Sequence, residues 1–175
     1  MTYTRPEVLG VDIGEVLIEQ FPADPELSFL GPNYLNTPEM PDAFRVLKRL
    51  HDERFGDNIF LITRCRAKIR DRRVAWLDHH KFYERIGIPR IPPRYCWNPY
   101  NKSNVCYDLG MTHFIDNEPA ELIHLEDLIP NLILFRPKAE HIAQYARFVA
   151  ESTIRADTWS AIEALLLPPQ QTTDT

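Results

Sequence analysis

The stretch EVLGVDIGEVLIE, from Glu7 to Glu19, decides how the rest of the chain is interpreted. Its first half has the apolar run of a buried strand, and that run ends in an acid, Asp12. Two positions later stands Gly14, which offers no side chain at all. An acid at the end of a buried strand is typical of a helix cap, a metal ligand or a nucleophile. The residues at the ends of the other strands indicate which of these three roles applies to Asp12.

Five apolar runs of strand length recur along the chain, and each ends in a polar or turn residue. They are VLGVDI, NIFLIT, RYCWN, THFID and NLILF. Amphipathic stretches of helical period lie between them. Strands that alternate with helices predict an α/β fold, a Rossmann-like three-layer sandwich around a mostly parallel five-stranded sheet.

The length of 175 residues suits one domain, which we expect to span residues 1–167. The last eight residues, 168–175, read PPQQTTDT and are expected to be a disordered tail. Residues 19–40 hold four prolines and show no clear period. A stretch of this length is either a lid or binding loop, or a surface excursion that its own aromatic residues pack in place.

Composition narrows the cellular setting and the partners. No apolar run reaches the roughly 20 residues that span a bilayer, and the chain begins without the pattern of a signal peptide, so no membrane partner is expected. Three cysteines without paired spacing suit reduced thiols in a cytoplasmic protein. A net charge of -5 argues against broad binding to nucleic acid. The sequence sets no oligomeric state.

In parallel α/β sheets, ligands bind beyond the carboxyl ends of the strands. The predicted strand ends carry Asp12, Thr63, Asn98 and Asp116. Asp12 and Asp116 could converge on one magnesium ion, which takes one or two carboxylates, keeps waters and accepts phosphate oxygens. Thr63 offers a hydroxyl to a phosphate, and Lys102 offers a point charge. Asp12 could then attack phosphorus, which is a known form of covalent catalysis.

These pieces resemble the four ordered motifs of the haloacid-dehalogenase-like (HAD-like) superfamily. VLGVDIGEVL resembles the first motif, and FLITR resembles the second, a strand that ends in Thr or Ser. Lys102 opens KSNVCYDLG at the place of the third-motif lysine, and THFIDNEP resembles the fourth motif. The resemblance covers about residues 7–137 and is closer still to a branch of the superfamily without a large cap domain.

The resemblance implies a magnesium-dependent phosphohydrolase that acts on a phosphorylated substrate through an aspartyl-phosphate intermediate. It implies that Asp12 is the nucleophile and a magnesium ligand, and that Lys102 takes part in catalysis. It further implies that the Gly14 carbonyl and the Asp116 carboxylate are the other magnesium ligands. Thr63 and Lys102 would bind the phosphate.

Two positions depart from the family pattern. Asn117 replaces a frequent second acid, which weakens metal contacts. Gly14 stands where family phosphatases usually carry an aspartate that protonates the leaving group, a step worth about 10²–10⁴-fold in rate. Glycine is also the residue of tight turns. Glu15 points away if the backbone is extended and swings back if it turns. The alternative function is therefore a catalytically impaired HAD-like binding or regulatory protein.

A basic run, TRCRAKIRDRR, follows the second motif and contains six Lys or Arg residues. It is either a solvated basic helix face or a surface for a polyanion, because Arg pairs well with phosphate. Nucleic-acid end processing therefore remains open as a third function. Within the run, Arg64 is the best candidate for phosphate binding because it directly follows Thr63.

Overall fold

A single parallel sheet organises the chain. The computed structural model describes residues 6–167, so the expected tail at 168–175 lies outside the described residues. The strands are β1 (Leu9–Val11), β2 (Ile59–Arg64), β3 (Arg94–Cys96), β4 (His113–Asp116), β5 (Asn131–Phe135) and β6 (Ile154–Ala156). They lie in the order β3-β2-β1-β4-β5-β6, and every pairing is parallel. The predicted α/β class with a parallel sheet is confirmed.

The sheet has one strand more than the five predicted. β6 pairs with β5 in the register Ile133↔Ile154 and forms the edge of the sheet. It contains three residues, of which Ile154 and Arg155 are exposed. Such a strand is too short and too polar to produce an apolar run, and its place is set by the edge of β5.

Helices cover both faces of the sheet. They are α1 (Ala43–Leu50), α2 (Ala67–His79), α3 (Phe82–Ile86), α4 (Pro99–Leu109), α5 (Pro119–Leu122), α6 (Ala139–Gln144), α7 (Ala146–Ser152) and α8 (Trp159–Leu166). Within residues 6–167, no helix has the length and apolar character that crossing a membrane requires.

The two faces of the sheet have separate apolar cores, as the alternation in β5 shows. Ile133 belongs to the core that includes Trp76 of α2 and Trp159 of α8. Its neighbour Leu134 belongs to the core that includes Phe148 of α7. Because successive strand residues point to opposite faces, the two cores lie on opposite sides of the sheet. The result is the three-layer sandwich that the sequence predicts.

The start of α4 is fixed by local signals that also position Lys102. The Asn98 side chain accepts a hydrogen bond from the Asn101 amide at 2.9 Å, and Pro99 opens the helix. The helix ends at Gly110, whose φ of 66° is the left-handed conformation that glycine adopts without strain. Lys102 therefore lies in the first turn of a helix that is capped at both ends.

The excursion at residues 19–40 packs against α2. Arg72 donates a hydrogen bond to the Phe29 carbonyl at 2.9 Å, and the Trp76 indole donates to the Thr37 carbonyl at 2.8 Å. Phe29 is fully buried. These contacts fit the packed-excursion alternative, and the role of a lid stays a prediction.

Candidate active site

Three polar side chains that the sequence places at strand ends lie at one edge of the sheet. Asp12 directly follows β1, which is flanked by β2 with Thr63 and by β4 with Asp116. The Asp12 amide donates to the Ile115 carbonyl at 2.9 Å, which holds the end of β1 against β4. All three functional side chains are buried. Because the carboxyl ends of parallel strands meet at the same edge, these residues lie at a common edge of the sheet.

Lys102 is the centre of this region, although it lies on α4 rather than on a strand. Its ammonium nitrogen lies 2.5 Å from Asp116 Oδ2, 3.7 Å from Asp12 Oδ1 and 3.8 Å from Glu121 Oε2. The side chain is 1% exposed. A buried charge is tolerated only when it is paired, and here three acids surround one ammonium group. The fold therefore brings Asp12, Asp116 and Lys102 together.

The pKa values of Lys102 and Asp116 are set by burial and by neighbouring charges together. Burial lowers the pKa of Lys102, but the negative charges of Asp116, Asp12 and Glu121 outweigh it, so the Lys102 pKa lies above its ordinary value. Burial raises the pKa of Asp116 to about 7, although the neighbouring Lys102 ammonium acts in the opposite direction. Lys102 thus keeps a positive charge at neutral pH.

Glu121 is a buried site residue that the sequence analysis missed. Its Oε1 accepts a hydrogen bond from Arg64 Nε at 2.5 Å, while its Oε2 has no hydrogen-bond partner among the described residues. Glu121 lies in the first turn of α5, where acids are common because they suit the helix dipole. The sequence therefore gave no signal that this acid faces inward.

An open cavity of about 160 Å³ lies against these groups. It is lined by Asp12, Gly14, Glu15, Gln20, Arg64, Arg73, Lys102, Asp116, Asn117, Glu118 and Glu121. A larger cavity of about 450 Å³ lies near β5 and α8, but Arg136 is its only Lys or Arg. The strand-end cavity therefore combines the buried acids with basic side chains, as a phosphate and metal site requires.

Thr63 does not line the cavity. It is fully buried, and its hydroxyl accepts a short hydrogen bond from Arg73 Nη1. Arg73 belongs to α2, is itself buried, and borders the cavity. Arg64, by contrast, is about half exposed and reaches the cavity directly. The expected phosphate ligand Thr63 is thus separated from the open space by an arginine that the sequence analysis did not single out.

The backbone turns sharply at Glu15. Its φ of 57° lies in the left-handed region, which is uncommon for a residue with a side chain. As a result the Glu15 carboxylate borders the cavity, where its Oε2 accepts a hydrogen bond from Asn117 Nδ2 at 3.1 Å. Lys138 Nζ lies 3.9 Å from its Oε1. The extended-backbone alternative for Glu15 is therefore wrong, and Asn117 contacts this side chain.

The cavity is lined by oxygen donors of the kind that magnesium prefers, although both carboxylate oxygens of Asp116 also accept hydrogen bonds, from Lys102 and from the Glu118 amide. The carboxylates of Asp12 and Asp116 and the backbone of Gly14 border the same space, and hard oxygen donors of this kind are what magnesium prefers. Across residues 6–167, no group of three or more His, Cys, Asp or Glu side chains is placed to hold a metal. Two carboxylates suffice for magnesium when waters and phosphate oxygens complete the shell.

Comparison with known proteins shows a structural similarity and no sequence match. No family model matches the sequence, and no curated protein matches it. A solved structure, D,D-heptose 1,7-bisphosphate phosphatase from B. bronchiseptica in complex with magnesium and phosphate, is similar with a TM-score of 0.65. The match covers 91% of this chain and 97% of that chain at 14% identity. The chain therefore shares the fold of that phosphatase, in agreement with the fold that the resemblance of the four motifs implies.

Proposed function

We propose that the protein is a magnesium-dependent phosphohydrolase that acts through Asp12. The observation that carries the proposal is the buried cluster in which Lys102 lies between Asp12 and Asp116 beside an open cavity. A structural neighbour that was crystallised with magnesium and phosphate supports the same chemistry. The substrate would be a phosphorylated molecule whose phosphoryl group enters this cavity.

In the proposed reaction, Lys102 and Arg64 attract the phosphoryl group through their positive charges. Magnesium, when bound by Asp12, Asp116 and the Gly14 carbonyl, would neutralise charge on the phosphate oxygens. A carboxylate oxygen of Asp12 attacks phosphorus while the bond from phosphorus to the leaving group breaks and its electron pair leaves with that group. Water then attacks the phosphorus of the aspartyl phosphate, and the bond from phosphorus to the Asp12 oxygen breaks. Asp12 is restored as a carboxylate, inorganic phosphate is released, and the proton of the attacking water passes to solvent.

The leaving group receives no proton from position 14, because Gly14 has no side chain. General acid catalysis of this step is worth about 10²–10⁴-fold. We therefore propose that turnover is fastest on substrates whose leaving group departs as a stable anion, and that esters of simple alcohols react slowly.

The test is hydrolysis of an activated aryl phosphate by purified protein, with and without magnesium. We expect activity that EDTA abolishes and that Asp12→Asn lowers at least about 10³-fold, as loss of a nucleophile does. Asp108→Asn, the same chemical change at an exposed position of α4, is the matched control and should keep full activity. Activity that survives Asp12→Asn would remove Asp12 from the mechanism.

A second candidate function is binding without turnover, in a regulatory role. The specific observation in its favour is that Arg73, a positive group that cannot serve as an acid-base aspartate, lies against Gly14. Absence of hydrolysis together with tight binding of magnesium and beryllofluoride, a phosphate mimic, would select this candidate. Hydrolysis that requires Asp12 and magnesium would exclude it.

A further inference from the structure

Arg73 is a buried charge that the proposed reaction does not use. Its residue exposure is 6%, and none of the ion pairs found within residues 6–167 includes it. Its Nη1 donates to the Thr63 hydroxyl, while its Nε is buried without a hydrogen-bond partner. A guanidinium group has five N–H donors and is costly to bury without an anion. The arginine therefore lacks the negative partner that its environment requires.

The guanidinium occupies the space beside Gly14. A Cβ atom on Gly14 would lie 2.2 Å from Arg73 Nη2 and 3.2 Å from its Cζ, far inside van der Waals contact. Gly14 is absent from the glycines with positive φ, which are Gly56, Gly87 and Gly110 within the described residues. Backbone freedom therefore does not explain this glycine. The missing side chain is what leaves room for the Arg73 guanidinium in its present position.

Thr63 holds the other side of the guanidinium. Its hydroxyl accepts the hydrogen bond from Arg73, and Thr63 does not reach the cavity. Arg73 does reach the cavity, together with Asp12 and Lys102. The positive group that a phosphate would meet on this side is therefore Arg73 rather than the threonine behind it.

We propose that Arg73 is a phosphate-binding residue of this site, accommodated by Gly14 and anchored by Thr63. This inference rests on the proposed function and adds a residue to it. The planar guanidinium pairs with two phosphate oxygens in a fork geometry that an ammonium group does not reproduce. The phosphoryl group is then held between Arg73 and Lys102, with Asp12 bordering the same cavity.

Local charge makes the binding of phosphate and cation interdependent. Five acids and three bases line the cavity: Asp12, Glu15, Asp116, Glu118 and Glu121 against Arg64, Arg73 and Lys102. Because the acids outnumber the bases, a doubly charged phosphate is favoured when a divalent cation binds with it, and together the two ligands add no net charge. Each ligand is therefore expected to raise the affinity for the other, and the coupling must be reciprocal.

The test is the binding of inorganic phosphate, measured by titration calorimetry with magnesium and again with EDTA. We expect Arg73→Met to weaken phosphate binding about 10- to 100-fold, the range for a lost hydrogen bond to a charged group. Arg73→Lys should restore part of the loss. Arg70→Met is the matched control, because it removes the same charge from an exposed position of the same helix and should change affinity less than twofold.

Gly14→Ala tests the same inference without removing any charge. The added methyl group collides with the end of the Arg73 side chain, which must move, so phosphate affinity should fall several-fold while circular dichroism stays native. This variant decides the question if Arg73→Met does not fold. Wild-type phosphate affinity in both Gly14→Ala and Arg73→Lys would overturn the inference.

The two proposals fail in different ways. If Asp12-dependent hydrolysis is present and Arg73→Met binds phosphate like the wild type, the assignment of Arg73 is wrong and the phosphohydrolase stands. If the wild-type protein neither hydrolyses an aryl phosphate nor binds phosphate or magnesium, both proposals are wrong.

Discussion

The two sides of the cavity solve the problem of buried charge in opposite ways. On the β4 side, Lys102 is enclosed by acids, and its nearest partner is Asp116 at 2.5 Å. On the β2 side, Arg73 is held by a neutral hydroxyl and faces an empty position at Gly14. The first side, called the satisfied side below, surrounds its buried cation with acids of its own, whereas the second, the unsatisfied side, has no acid paired with its buried cation. Stability should therefore depend on the first side and ligand affinity on the second.

Removing the charge of Lys102 should destabilise the folded protein, because the acids of the satisfied side lose their cation. Lys102→Met leaves several buried acids without their cation, and loss of one partner of a buried pair typically costs about 3–5 kcal/mol. The free energy of unfolding, measured with urea at pH 7, should fall by about that amount. Lys48→Met, at an exposed ion pair with Asp52, should change it by less than about 1 kcal/mol. Equal effects of the two substitutions would contradict the comparison.

The satisfied side should also make stability depend on pH. The pKa of Asp116 is raised to about 7 by burial, so the folded state binds a proton that the unfolded chain releases near pH 4. Without magnesium, the contribution of Asp116 to stability is therefore fully present below pH 4 and is lost as pH rises to about 7. Urea titrations across this range should show a decline that Asp116→Asn flattens. An unchanged slope in that variant would remove Asp116 as the cause.

The unsatisfied side can be altered by supplying the missing anion internally. Gly14→Asp places a carboxylate beside the Arg73 guanidinium, and an ion pair between them would compete with phosphate. Phosphate affinity without magnesium should fall about tenfold, the lower end of the range for a charged hydrogen bond. Gly14→Asn, of similar size but without charge, separates the electrostatic effect from displacement. If both substitutions weaken binding equally, steric displacement alone is responsible.

Substitution of Arg64 should have the smallest effect on phosphate affinity. Its side chain is 48% exposed and already pairs with Glu121 at 2.5 Å. Water screens a charge in such a position, so Arg64→Met should weaken phosphate binding only a few-fold. The substitution leaves Glu121 buried without its hydrogen bond, so calorimetry should be accompanied by thermal unfolding. A loss as large as that of Arg73→Met would show that the two arginines contribute equally.

The sequence predicted the sheet and the residues at its carboxyl edge, and it missed features that depend on facing partners. Apolar runs revealed five strands, of which β1, β2, β4 and β5 are mostly buried. β6 was not predicted because it forms by pairing with the edge of β5 and has no apolar run of its own. Glu121 was not predicted as a site residue because an acid in the first turn of a helix is common. Only the packing of the helix places its side chain inward.

The basic run shows the same limit more sharply. The sequence left a solvated helix face and a polyanion surface as alternatives, and the structure divides the run among three environments. Arg70 is exposed, Arg72 donates to the Phe29 carbonyl, and Arg73 is buried at the cavity. Helical periodicity places Arg73 on a particular side of α2, but it does not say what that side meets. The run as a whole therefore has no single environment, and its sequence pattern did not distinguish Arg73 from its neighbours.

By itself the sequence determined the class of fold, the order of its motifs and the presence of Asp12, Thr63, Lys102 and Asp116. Strand burial and helix caps are local properties, and a local pattern records them. Only the tertiary structure showed that an arginine 59 positions away places its guanidinium in the space that a side chain at position 14 would occupy. Contacts between distant segments depend on how the elements pack, and no short stretch of sequence contains that information.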